Sequence, residues 1–87
     1  MFYVYIIKSK EGRYYIGSTE NIEKRLQQHN SIENKGWTSR FTDWKLVYSE
    51  TYQIRKQAII RERQIKKIIT YVLSFHNQAK ILTLKLR

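Results

Sequence analysis

At 87 residues, 41% hydrophobic and 14% aromatic, the chain has room for one small globular domain and is too apolar to be disordered. Seventeen Lys and Arg against seven Asp and Glu give a formal charge of +10, which repels itself unless a polyanion is the usual partner, so nucleic acid is the partner class indicated. The absence of cysteine excludes disulfide scaffolds and thiolate zinc sites, and the longest apolar run, Ile68 to Phe75, is far short of the roughly 20 residues of a membrane span.

Met1-Phe2 leads straight into an apolar run with no charged leader, so the expectation is a cytoplasmic protein with no membrane partner. Phe2 to Lys8 (FYVYIIK) is aromatic and β-branched and predicts a strand. Ser9 to Arg13 reads as a turn and Arg13 to Gly17 (RYYIG) as a second strand, so the chain opens with a hairpin. A three-residue loop with glycine last is a common hairpin connection, because the third position needs a left-handed backbone, and Lys10-Glu11-Gly12 fits it. Ser9 then pairs with Arg13, Tyr5 with Gly17 and Ile7 with Tyr15. In this register Tyr5 and Tyr15 share a face as diagonal neighbours about 7 Å apart at the backbone. A one-residue slip separates them. Gly17 is expected to leave open space beside Tyr5, of the kind a substrate site keeps and a core fills.

Thr19 is the expected N-cap of a helix running to about His29, with Glu20 and Glu23 suiting its positive end. Ile22 and Leu26 form its apolar stripe. Arg25 and His29, four residues apart, stack beside that stripe. Taken singly, Arg25 reads as a solvated arginine and His29 as a histidine favoured by the helix C-terminus. Together, beside the tyrosine face, they suggest a site. Asn30 to Asp43 is a polar loop whose Trp37, Arg40 and Phe41 suit either stacking on bases or a distorted DNA junction, or else a small satellite core.

Trp44 to Glu50 predicts a third strand and Gln53 to about Thr70 a basic amphipathic helix with Ile54, Ala58, Ile65 and Ile69 as its apolar stripe. Glu62 lies within that stripe and is the only acid from Ile54 to Ile69, among Arg55, Lys56, Arg61, Arg63, Lys66 and Lys67. An inward carboxylate needs a cation. The candidates are an internal ion pair or a divalent metal, and hard oxygen ligation suits Mg2+ or Mn2+. The order ββαβα predicts an α+β fold, a small antiparallel sheet with helices packed on it.

These residues carry a resemblance to the GIY-YIG nuclease superfamily, above all its short single-domain bacterial members, over residues 2–67. Val4-Tyr5-Ile6 stands where the first motif ends, and Tyr15-Ile16-Gly17 is the second motif intact. Arg25 falls on the family's helix arginine, His29 where the family has His or Tyr, and Glu62 on its metal-binding glutamate. The resemblance implies a three-stranded antiparallel sheet flanked by helices, spanning residues 1–87 as a single domain with a divergent tail at 68–87. It also implies Mg2+- or Mn2+-dependent endonucleolytic hydrolysis of DNA, with branched or damaged DNA, repair or recombination as the setting. In that reading Tyr5 helps deprotonate the attacking water and Tyr15 positions water or phosphate. Arg25 stabilises charge on the phosphate, His29 orients or relays protons, and Glu62 holds the metal. Tyr3 replaces the first motif's glycine, Ser18 stands where some branches place a lysine, and the asparagine that some members carry after the glutamate helix has no match.

Lys24, Lys35, Trp37, Arg40, Arg55, Arg61, Arg63 and Lys66 are the expected DNA contacts. The tail beyond Lys67 carries a helical stripe (Ile68, Val72, Phe75, Ala79, Leu82, Leu86) that suits an extra C-terminal helix and a homodimer contact, while Leu82, Leu84 and Leu86 also alternate like a strand. Two other readings stand beside the enzyme: a nucleic-acid-binding module that kept the scaffold without turnover, and a protein-interaction subunit.

Overall fold

The computed structural model describes residues 1–76, with side chains for residues 1–69. The chain forms β1 (Phe2–Lys8), β2 (Tyr14–Thr19), α1 (Ile22–Asn30), a 3-10 turn (Trp37–Arg40), β3 (Lys45–Tyr52) and α2 (Arg55–His76). The three strands make one antiparallel sheet in the order β2-β1-β3, so the fold is α+β as expected.

The hairpin adopts the expected register. Ser9 N–H donates to the Arg13 carbonyl at 2.9 Å, and Gly12 takes the left-handed conformation at φ +88°. Tyr5 then pairs with Gly17 and Ile7 with Tyr15. β1 is central, and Val4, Tyr5, Ile6 and Ile7 are all buried because both faces of the sheet are covered. Val4, Ile6 and Ile16 pack with Ala58, Ile65 and Ile69 of α2. Tyr5, Ile7 and Trp44 pack with Tyr15, Ile22, Leu26 and Phe41. A bulge after Ile6 in the β1–β3 pairing advances the register from Tyr48 to Leu46.

Several boundaries differ from expectation. β2 runs on through Thr19, so the N-cap is Asn21, whose Oδ1 accepts from Lys24 N–H at 3.0 Å. β3 starts one residue after Trp44 and continues to Tyr52. Trp44 is 2% exposed and is held by Asn30, whose amide donates to the Trp44 carbonyl at 3.0 Å and whose Oδ1 accepts its N–H at 2.8 Å. The last helix starts at Arg55, which leaves Ile54 outside the stripe and 56% exposed. It passes Thr70 without a break and reaches His76, so residues 68–76 continue α2 rather than start a separate helix. The rest of the tail, and with it Ala79, Leu82 and Leu86 of the expected dimer stripe, lies outside the described residues.

The open space expected at Gly17 is absent. A Cβ built there would meet the Tyr5 hydroxyl at 2.6 Å and ring carbon Cζ at 2.8 Å, so the glycine lets the Tyr5 ring lie flat against β2. Gly17→Ala is therefore expected to displace a buried ring and cost about 1–3 kcal/mol of stability, read by urea unfolding. Unchanged stability would show that the ring is not held there.

Candidate active site

Tyr5 rises from the middle of β1 with its hydroxyl 2.9 Å from His29 Nε2 at the end of α1. The other ring nitrogen, Nδ1, lies 2.8 Å from Thr38 Oγ1. Thr38 is fixed in turn: Asn34 Nδ2 donates to its hydroxyl at 2.7 Å, and Trp44 Nε1–H donates to its carbonyl at 2.9 Å. Tyr5 is 1% exposed, so its proton needs an acceptor, and Nε2 is the one in reach. This puts the imidazole proton on Nδ1, where it donates to Thr38. Sheet, helix and loop are thus joined by one chain of hydrogen bonds.

The electrostatics favour the neutral form of each member. Burial pushes the Tyr5 hydroxyl up to about 12, opposed by the nearby Arg25 guanidinium and assisted by Tyr15 and the Glu62 carboxylate. Burial, then the Arg25 charge, holds His29 below the ordinary histidine value. Tyr5 alone is therefore even less ionised at neutral pH than a free tyrosine. A neutral His29 behind it is competent to take its proton.

Tyr15 stands beside this chain, half-buried, with its ring 6.2 Å from Tyr5 and 4.7 Å from His29. Arg25 is exposed, donates to Gln28 Oε1 at 3.2 Å, and its own pKa is raised, first by contact with the Tyr5 hydroxyl. It lines two clefts. One, of about 400 Å3, includes Ser18, Lys24 and Arg55. The other, of about 150 Å3, includes Tyr15, His29 and Trp37. A guanidinium shared by two clefts and lying close to two tyrosine hydroxyls has the charge and fork geometry to pair with an anion in a polar groove.

Glu62 is 18% exposed and pairs with Lys66 Nζ at 2.6 Å, so the expected inward carboxylate has a cation on its own helix. Its action on Tyr5 brings α2 into the same electrostatic neighbourhood. No group of three or more His, Asp or Glu side chains gathers among the described residues, so a protein cage for a metal is not formed there. A lone carboxylate still fits Mg2+, which takes one or two carboxylates and keeps several waters.

The expected DNA contacts divide. Lys24 and Arg55 line the larger cleft; Arg55 lies over the Phe2 ring at 4.9 Å and makes an exposed pair with Glu20 at 3.3 Å, of little energetic weight. Lys35, Arg40 and Arg63 are exposed. Arg61 is taken up elsewhere: its Nε and Nη2 donate to Glu50 at 2.8 and 3.1 Å, and the Tyr48 and Tyr52 hydroxyls donate to the same carboxylate. Arg61 and its strong donors hold Glu50 down to about 2, a structural pair and not a free phosphate contact. Thr38 and Asn34 escaped sequence reasoning, since short polar residues in a polar loop carry no signal of their burial. Phe41 joins the core, as the satellite-core reading of the loop expects, while Trp37 stays 46% exposed.

Residues 1–69 match the family model of the GIY-YIG catalytic domain. The chain is 41% identical over 68 residues to a UPF0213 protein of Clostridium perfringens, covering 78% of this chain and 73% of that one. It is 38% identical over 64 residues to a UPF0213 protein of Staphylococcus saprophyticus (74% and 78% covered). A UPF0213 protein of Halobacterium salinarum is 31% identical over 68 residues (78% and 88% covered). No solved structure matches significantly.

His29 is expected to titrate below 6.5 by NMR, with the Nδ1–H tautomer in its neutral form. Arg25→Ala, which removes a neighbouring positive charge, is expected to raise the midpoint. A midpoint at or above 6.5 that ignores the substitution would contradict this site.

Proposed function

The chain belongs to the GIY-YIG family, a nuclease superfamily, and on that footing we propose that it is a divalent-metal-dependent endonuclease that hydrolyses DNA phosphodiester bonds. One observation carries the reading: Arg25 stands beside the hydroxyls of Tyr5 and Tyr15 while His29 accepts the Tyr5 proton, at the junction of two polar clefts.

The residues divide the chemistry. Arg25 holds the non-bridging oxygens of the phosphate, and its donors strengthen as negative charge develops there. Tyr15, which lines the cleft, holds the attacking water against the phosphorus. Tyr5 takes the water's proton as its own passes to His29 Nε2, so no free tyrosinate forms despite the raised pKa. Thr38 keeps the imidazole oriented through Nδ1. Glu62, once released from Lys66, would hold Mg2+ or Mn2+. The bound ion supplies Lewis-acid polarisation of the phosphoryl oxygen and charge relief on the leaving group.

The Glu62–Lys66 pair favours a second reading, a nucleic-acid-binding module without turnover, because a carboxylate already matched by an ammonium has less call on a metal. Cleavage of supercoiled and branched DNA decides between them. The enzyme reading expects cutting in Mg2+ or Mn2+ that EDTA abolishes and Glu62→Gln removes. It also expects a fall in turnover of roughly 10²-fold or more for Arg25→Ala, with affinity changed far less. DNA binding with no cutting in either metal would leave the binding module.

A further inference from the structure

Trp37 is the large aromatic that the core only partly covers: its ring lies 5.0 Å from Phe41 and 6.2 Å from Trp44. Phe41 and Trp44 pack inward beside Tyr5 and Ile7, whereas Trp37 remains 46% exposed at the start of the 3-10 turn. Its indole lies within 24° of parallel to the Tyr15 ring, with centroids 6.5 Å apart. These two rings line the cleft of about 150 Å3, together with Arg25, Gln28 and Gly36. The frame around it is fixed. Asn34 donates to the His29 carbonyl at 3.0 Å and to Thr38 Oγ1 at 2.7 Å, and its Oδ1 accepts the Gly36 N–H at 2.9 Å, so its amide has no freedom to turn outward. Gln28 is exposed and, among the described residues, its side chain bonds only through Oε1, toward Arg25, which leaves its NH2 group to face a ligand.

Flat aromatic walls, an amide donor and an adjoining guanidinium are the features that recognise an unstacked base attached to a phosphate. A cleft this small admits one ring system and no base pair. Two parallel contacts at about 3.5 Å each need about 7 Å between the walls, against a present centroid separation of 6.5 Å, so a base in this slot requires Trp37 to move outward. Arg25 also borders the larger cleft with Lys24 and Arg55, so a strand crossing at Arg25 has cations for its next phosphates on the far side.

We propose that the cleft between Trp37 and Tyr15 takes an unpaired nucleobase next to the phosphate held by Arg25, making single-stranded or locally unpaired DNA the preferred substrate. This rests on the nuclease reading for the position of the phosphate.

The test is binding in EDTA, where no cutting interferes, of a labelled single-stranded oligonucleotide and the duplex of the same sequence. Wild type is expected to bind the single strand more tightly. Trp37→Ala is expected to weaken single-strand binding roughly tenfold or more and leave duplex binding nearly unchanged. Trp37→Phe, which keeps an aromatic wall and the loop packing, is expected to retain most of the affinity. Equal losses on both DNAs, no loss on either, or a Trp37→Phe variant as weak as Trp37→Ala would overturn the base slot. Selective loss in a protein that cuts nothing in any metal would uphold the slot and sink the nuclease reading. Cutting by a protein whose single-strand binding ignores Trp37→Ala would do the reverse.

Discussion

The hydrogen bond from Tyr5 to His29 is the constraint on which the rest of the site depends. It crosses from the central strand to the last turn of α1, spanning 24 residues of sequence with both partners buried. A tyrosine in the middle of a three-stranded sheet has to place its hydroxyl somewhere, and a side chain on the paired position of β2 would push it outward. Gly17 removes that side chain, the ring lies against the strand, and the hydroxyl reaches the imidazole. From there Thr38 and Asn34 extend the chain into a loop that would otherwise have little to hold it. Trp44 closes the arrangement by capping the Thr38 carbonyl with its indole N–H. The glycine of the Tyr15-Ile16-Gly17 motif thus has a packing reason, and the packing sets the geometry of the polar groups.

Much of this was legible in local sequence rules. Lys10-Glu11-Gly12 specified a turn whose register decides which side of the sheet every β1 side chain faces, and that alone brought Tyr5 and Tyr15 together. The four-residue spacing of Arg25 and His29 placed them on one side of α1. What failed was reasoning about space and about partners. An absent side chain reads as a vacancy in a sequence, but the neighbouring ring filled it. Glu62 drew its cation from one turn further along its own helix, a pairing the i, i+4 rule makes natural. Arg61 looked like one of six equivalent cations, yet β3 brought Glu50, Tyr48 and Tyr52 to it, a match across 11 residues that no local pattern announces. Thr19 and Asn21 are both good caps. The strand's extension to Thr19 chose between them.

The charge of +10 is accordingly not a uniform coat. Arg61 is spent on internal structure, and Lys66 faces a carboxylate. Lys24, Arg25 and Arg55 surround the larger cleft, next to the tyrosine–histidine chain. This concentrates positive potential where a phosphate would meet groups able to move a proton. The site keeps those groups neutral by burial, at the edge of a cationic groove. That combination suits a reaction in which a neutral water is deprotonated beside a dianion-like transition state.

The central claim is that the neutral Tyr5–His29 pair is the proton acceptor. The pH–rate profile of DNA cleavage under single turnover tests it most directly, with the His29 imidazole titrated by NMR in the same buffer. Folding favours the neutral ring, so the account predicts that cleavage is full above the ordinary histidine value and falls as pH drops through the lowered His29 midpoint, the two curves coinciding while the protein stays folded. A rate that is flat across the His29 titration would contradict it.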